Sequence, residues 1–377
     1  LVYIDALDVR YARRMLARNN SLLFQPEAGT NLLTVRGFSS SAIRVFDVQD
    51  PLRPVEVVAT IAPDDASWRV SWTTNVGTGS CFLATATTWL PERIEGVTDA
   101  GWDGPMTGAP HLVIASQAMT NTAAALVAHR VQHGLDSLLV PVEELNDAFA
   151  FGRRDPRAII RFLAQARTNW TVPPAYVCLA GDGHVDYYDN FGQASTRPNH
   201  LPPILEQIYD GREGVHMVLG LDNPLADTDG DGTPNCAIGR LPAQTTNALA
   251  RMIERIIAHE SRDDWKTNAL FIADYDVNHD FQMACERLAT RAPPAIAPVH
   301  LNRTGTTLEP MRTDFLKALN SSVPLAVYLG HGNNIALGDG SWFFRHTAST
   351  SDMAGLTNRI RGPLLLAGTC LQNNFSK

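Results

Sequence analysis

The sequence predicts an α/β protein: a mostly parallel sheet flanked by helices, preceded by an antiparallel β-sandwich domain. Two observations carry this expectation. Residues 1 to about 105 hold short β-rich segments separated by Gly, Pro, Asn and Asp turns. After His111 the pattern changes to apolar strands alternating with helical stretches.

In the first part the strands are "SLLFQPE", "NLLTVRGF", "SAIRVFDV", "VEVVATIAP", "WRVSWTT" and "CFLATATTW". Residues 1–107 are expected to form the sandwich, and "DGPMTGAP" reads as a linker. A first α/β subdomain, 108–235, begins with the strand "HLVIAS" and the helix "NTAAALVAHRVQHG", which ends at Gly134. Strand-like "LDSLLVPV", the helix "DPRAIIRFLAQARTNW" and the strand "AYVCLAGD" follow. Polar, Pro-rich sequence then runs from His184 to Asn235. The second subdomain, 236–377, resumes with "CAIGRLP" and the helix "TTNALARMIERIIAHE". Strands "NALFIAD", "AIAPVHL", "VPLAVYLG" and "PLLLAGTC" then alternate with helices "FQMACERLAT", "MRTDFLKALN" and "SDMAGLTNRI".

Composition excludes several function classes. Of 377 residues, 45% are hydrophobic and 19% charged, which is ordinary for a globular protein. A net charge of −8 leaves no basic footprint for nucleic acid and no polybasic membrane patch. No apolar run has the length of a membrane span, and no signal peptide is visible. The first residue is Leu1 rather than Met, so an upstream segment is expected. The five cysteines include no CxxC, which argues against a zinc ribbon or a dense disulfide framework.

In open parallel sheets, ligands bind beyond the carboxyl ends of the strands. Two such ends carry chemistry here. His331 lies between Gly330 and Gly332 after the apolar run Pro324–Leu329, and Cys370 follows the run Pro363–Leu366. They are 39 residues apart, enough for one crossover between neighbouring parallel strands. An imidazole beside a thiol is what thiol catalysis needs: the thiolate attacks and the imidazole delivers a proton to the leaving group. A cysteine after an apolar strand is also commonly a small buried hydrophobe. A histidine between two glycines at a strand end is harder to explain by packing.

"AVYLGHGNN" and "LLLAGTCLQNNF" resemble the His-Gly and small-residue–Cys motifs of the gingipain-type cysteine peptidases, in the caspase-like clan. "PAYVCLAGDG", "CAIGRLPAQTTNALARMIERIIAHE" and "NALFIADYD" fall in that family's order. "RGFSSSAIRVFDVQDPLRP" resembles the β domain that precedes the peptidase domain in bacterial relatives. The resemblance implies a caspase/gingipain-like fold and a secreted or cell-surface cysteine endopeptidase acting on protein or peptide substrates. It implies Cys370 as nucleophile, His331 as general acid/base, and the backbone amides of Gly332 and Cys370 as the oxyanion hole. Asp276 takes the place of the acidic third member, and Asp274 is a close rival under a two-residue slip. Either aspartate could instead cap the following helix. Asp280 falls where arginine-specific relatives carry a pocket carboxylate, implying cleavage after Arg or Lys; a helix-start role for it is the alternative. The family's peptidase domain continues beyond its cysteine strand, so a C-terminal fragment, separated after Lys377 and still bound, is an expected partner.

"ADTDGDGTPN" sets Asp227, Asp229 and Asp231 at alternate positions with glycines between. Carboxylates at that spacing suit a structural calcium ion, while an ordinary Asp/Gly turn is the alternative. The loop lacks an EF-hand's final Glu, since position twelve is Ile238. "DGDGT" also matches the nucleophile loop of haloacid-dehalogenase-type phosphatases, but "NPLADT" before it and Pro234 after it do not fit that motif. "GDGHVD" faintly resembles a metallophosphatase motif, though His184 reads better as a polar loop residue. A third reading is an inactive peptidase-like scaffold that binds through its β domain.

Overall fold

The computed structural model describes residues 13–51, 53–87, 96–97, 99–210, 215–262, 268–276, 278, 280–303, 309–321, 323–333, 336–338, 344–345, 352–358 and 360–370. The chain divides into two compact units, Leu1–Gly96 and Val97–Lys377.

The first unit contains β1 (Ser21–Phe24), β2 (Leu32–Phe38), β3 (Arg44–Asp47), β4 (Val55–Glu56), β5 (Thr60–Asp64), β6 (Ser67–Thr73) and β7 (Phe82–Thr85). They form two antiparallel sheets, ordered β1-β7-β3-β4 and β2-β6-β5. Alternate residues point inward from both sheets into one core: Leu33 and Val35 from β2, Val70 and Trp72 from β6, Phe82 and Ala84 from β7. The segment "VEVVATIAP" is not one strand. Val55–Glu56 pairs with β3, and Thr60–Asp64 pairs with β6, so the chain changes sheets between them.

The second unit opens with β8 (His111–Ala115), α1 (Thr120–Gln132), β9 (Ser137–Pro141), α2 (Val142–Ala150), α3 (Arg157–Asn169) and β10 (Tyr176–Ala180). An antiparallel hairpin, β11 (Ile204–Asp210) and β12 (Val215–Leu221), precedes β13 (Ala237–Leu241) and α4 (Thr246–Glu260). A parallel sheet has the order β13-β10-β8-β9. All of β8 is buried, because its two faces serve two cores: Leu112 and Ile114 pack toward α2 and α3, Val113 and Ala115 toward α1 and α4. Although β13 follows residue 235, it pairs in register with β10 and completes this first sheet.

The second parallel sheet contains β14 (Asn268–Ala273), β15 (Ala297–Asn302), β16 (Leu325–Leu329) and, after a small antiparallel set, β20 (Leu364–Gly368). That set is β17 (Gly332–Asn333), β18 (Ala336–Leu337) and β19 (Phe344–Arg345). The large sheet has the order β15-β14-β16-β20, with helices α5 (Asp280–Ala289) and α6 (Glu309–Asn320) in its crossovers. Leu270 and Ile272 of β14 share a core with Phe315 of α6, and Phe271 shares the opposite one with Cys285 of α5.

Three further elements differ from the sequence expectation. The helix α2 follows β9 without a loop, so its start is hidden in the apolar run "LLVPV". The β11–β12 hairpin lies in the stretch that reads as polar and irregular. The expected helix "SDMAGLTNRI" is, in its described part, a 3-10 turn at Asp352–Gly355, where Gly355 and then Thr357 and Asn358 disfavour α-helix. Among the described residues no helix is long and apolar enough to cross a membrane.

Candidate active site

The last paired residues of β16 and β20 are Leu329 and Gly368, and the Gly330 amide donates to the Gly368 carbonyl at 3.2 Å. His331 and Cys370 each stand two residues beyond that pair, so they leave neighbouring strands at the same level. Neighbouring strands run about 4.8 Å apart. His331 is half-buried and Cys370 is exposed.

The glycines around His331 are required by close approach. A Cβ on Gly330 would lie 2.3 Å from the Asp274 Cβ and 2.4 Å from the Tyr328 hydroxyl. A Cβ on Gly332 would lie 2.4 Å from Thr369 Oγ1, the residue before Cys370. The Gly332 backbone is thus pressed against the strand end that carries the thiol. Immediately after, Gly332–Asn333 pairs with Ala336–Leu337, and the Gly338 amide donates to the His331 carbonyl at 2.9 Å, which folds the chain back over the strand end.

Asp274 and Asp276 do different work. Asp274 directly follows β14, its amide donating to the Leu329 carbonyl of β16 at 2.9 Å, and its side chain has no exposed surface. Arg303, just past β15 and 3% exposed, donates from Nη1 to Asp274 Oδ1 at 2.8 Å. The His331 backbone amide donates to Asp274 Oδ2 at 3.3 Å. The Tyr328 hydroxyl donates to the His331 carbonyl at 2.6 Å and lies 3.5 Å from Asp274 Oδ2. Burial, with the Asp274 charge adding to it, pushes the Tyr328 phenol far up, so it is a permanent donor. Asp276 instead organises the start of α5. Its Oδ1 accepts from the amides of Asn278 and Asp280, both at 2.9 Å, and its Oδ2 from the Phe281 amide at 3.0 Å. The Phe281 ring meets the His331 imidazole edge-on, with centroids 5.1 Å apart at 88°. Asp280 is the first residue of α5 and is exposed.

Arg303, Tyr328 and Phe281 escaped the sequence reading. An arginine directly after an apolar strand was the available signal for Arg303. For Tyr328 and Phe281 there was none, since each reads as ordinary core.

The other cysteines are unlike Cys370. Burial pushes the Cys178 and Cys285 thiols up to about 11, which holds both as unreactive thiols at neutral pH.

In the second unit, the carboxylate oxygens of Asp227, Asp229 and Asp231 come within 4.8 Å of one another. The Gly230 and Gly232 amides each donate to Asp227 at 2.9 Å, and Asn235 Nδ2 donates to Asp229 Oδ2 at 2.9 Å. That side-chain bond, opposed by some desolvation, holds the Asp229 carboxyl below its ordinary range. Three convergent carboxylates fit the oxygen-donor demand of calcium. The segment before this loop is a 3-10 turn, Asn223–Leu225, rather than the buried strand a phosphatase nucleophile loop needs. His184 is buried, its Nδ1 accepting from the Asp186 amide at 3.2 Å and its Nε2 lying 3.0 Å from the Arg197 carbonyl. It ties a loop together.

Comparisons with known proteins bear on the family and the fold. The profile of Peptidase family C25 matches residues 105–377. The fold resembles that of dimeric latent PorU from Porphyromonas gingivalis, with a TM-score of 0.54 at 16% identity over 67% of this chain and 26% of that one. A complex of the pro- and mature domains of RgpB, also from Porphyromonas gingivalis, aligns at a TM-score of 0.47 and 20% identity, covering 70% of this chain and 55% of that one. The chain therefore spans about a quarter and about half of these two proteins. No curated protein sequence matches.

Proposed function

The chain belongs to peptidase family C25, and we propose that it hydrolyses peptide bonds with Cys370 as nucleophile and His331 as general acid/base. What carries this reading is the shared level of the two residues beyond the Leu329–Gly368 pair. The Cys370 thiolate attacks the scissile carbonyl carbon, forming an S–C bond and moving the C=O π electrons onto oxygen. The backbone amides of Gly332 and Cys370 receive that oxyanion. Collapse restores the carbonyl and breaks the C–N bond, as His331 passes its proton to the leaving amine. Water then attacks the thioester and gives a proton to His331, and the thiolate leaves. Asp276 serves as the acidic third member, acting on the imidazole through the α5 start that seats Phe281. Asp274 is the rival for that role, through the His331 backbone.

Three finer readings accompany this one. Asp280 selects Arg or Lys before the scissile bond. A calcium ion held by Asp227, Asp229 and Asp231 stabilises the second unit. The protein acts outside the cell or at its surface. The central test is turnover of a mixed peptide library by wild-type protein and by Cys370→Ala. Undiminished cleavage by a folded Cys370→Ala protein rules the mechanism out.

A further inference from the structure

We propose that Arg303 is a positioning residue for His331, acting through its buried ion pair with Asp274. The inference rests on the peptidase reading but makes a prediction that is independent of turnover. Asp274 has one oxygen on Arg303 and the other on the His331 backbone amide, so the guanidinium fixes the carboxylate that fixes the strand end. Arg303 itself is anchored, since its backbone amide donates to the Ala273 carbonyl at 2.9 Å. Gly330 leaves no slack between these parts, because Asp274 and Tyr328 already fill the space a Cβ there would need. A planar, always-charged fork suits this task better than a lysine ammonium.

The pair also sets the charge balance at the strand end that carries His331. Among the described residues, the titratable and charged groups on the elements that end beside His331 are Asp274 and Tyr275 after β14, Asp276 and Asp280 at the start of α5, Arg303 after β15, Tyr328 on β16 and Cys370 after β20. Asp274 and Arg303 cancel as a pair. Removing the arginine leaves a buried negative charge near His331, which favours the imidazolium and raises the His331 pKa. Removing the aspartate charge leaves a positive one, which lowers it. Damage to packing alone has no reason to move the titration in opposite directions.

The experiment is an NMR titration of the His331 imidazole, assigned by its loss in His331→Gln, in wild type, Arg303→Met, Asp274→Asn and the double variant. Arg303→Met is expected to shift the midpoint up, and Asp274→Asn down. The double variant is expected to return close to wild type. Because breaking a buried pair can unfold a protein, Arg303→Lys is the second probe. It keeps the charge, so its midpoint should stay at the wild-type value while kcat on the best library peptide falls about tenfold with KM nearly unchanged. Shifts of the same sign in both single variants, or a wild-type kcat in Arg303→Lys, would overturn the proposal. If no variant and no wild type turns over peptide, the peptidase reading fails, while the titration still decides whether the Asp274–Arg303 charge balance acts on His331.

Discussion

His331 and Cys370 each lie two residues beyond one backbone pair, Leu329 opposite Gly368, at the carboxyl end of adjacent parallel strands. That relationship sets a thiol and an imidazole at one level without either depending on a long loop. Cys370 is exposed, so replacing it removes little packing. Cys370→Ala is expected to keep the wild-type melting temperature within a few degrees. Both Cys370→Ala and His331→Ala should lose peptide hydrolysis by a factor of about 10³ or more. Melting curves and turnover on one library preparation check both statements.

Thiol chemistry should be selective. Cys178 and Cys285 have thiols raised to about 11 by burial, so only about one part in 10³ of either is thiolate at pH 8. Iodoacetamide on the native protein is expected to modify Cys370 and to spare these two. Peptide mapping by mass spectrometry reads it, and equal labelling of Cys178 and Cys370 would count against the assignment.

Glycine at 332 is a steric requirement. Its missing Cβ would overlap Thr369 Oγ1 at 2.4 Å. Gly332→Ala is expected to cost about 1–3 kcal/mol and to lower kcat. Thr369→Ala in the same chain should restore part of both losses, because it removes the atom in the way. Additive losses in the double variant would show that the contact is not the cause.

Asp276 gathers three backbone amides at the start of α5. Asp276→Ala is expected to destabilise the second unit by about 1–2 kcal/mol, as loss of a helix cap does. Under the proposed role it also lowers kcat, and Phe281→Ala should lower kcat as well. A destabilised Asp276→Ala protein with wild-type kcat reduces Asp276 to a cap.

Calcium, if it binds between Asp227, Asp229 and Asp231, adds stability by mass action. Adding a chelator to calcium-loaded protein is expected to lower the melting temperature by several degrees, and Asp229→Ala should erase that sensitivity. Identical curves with and without chelator would dispose of the site.

The sequence by itself determined the α/β class, the leading antiparallel unit and the two strand ends that carry His331 and Cys370. Those features are local: β-rich runs between turn residues, apolar strands alternating with helical stretches, glycines flanking a histidine. The tertiary structure decided which strands are neighbours. The chain order β14, β15, β16 becomes the sheet order β15-β14-β16-β20, because one crossover passes over β14. Only that order brings Asp274 beside His331, and Arg303 onto Asp274 from the far side. It also gave two aspartates two residues apart different partners. Both lie past Ala273, the last residue of β14, where strand alternation no longer sets direction: Asp274 meets Arg303 and the His331 amide in a buried network, while Asp276 meets the amides at the start of α5. Periodicity cannot report such choices, because they depend on what the rest of the chain places on either side.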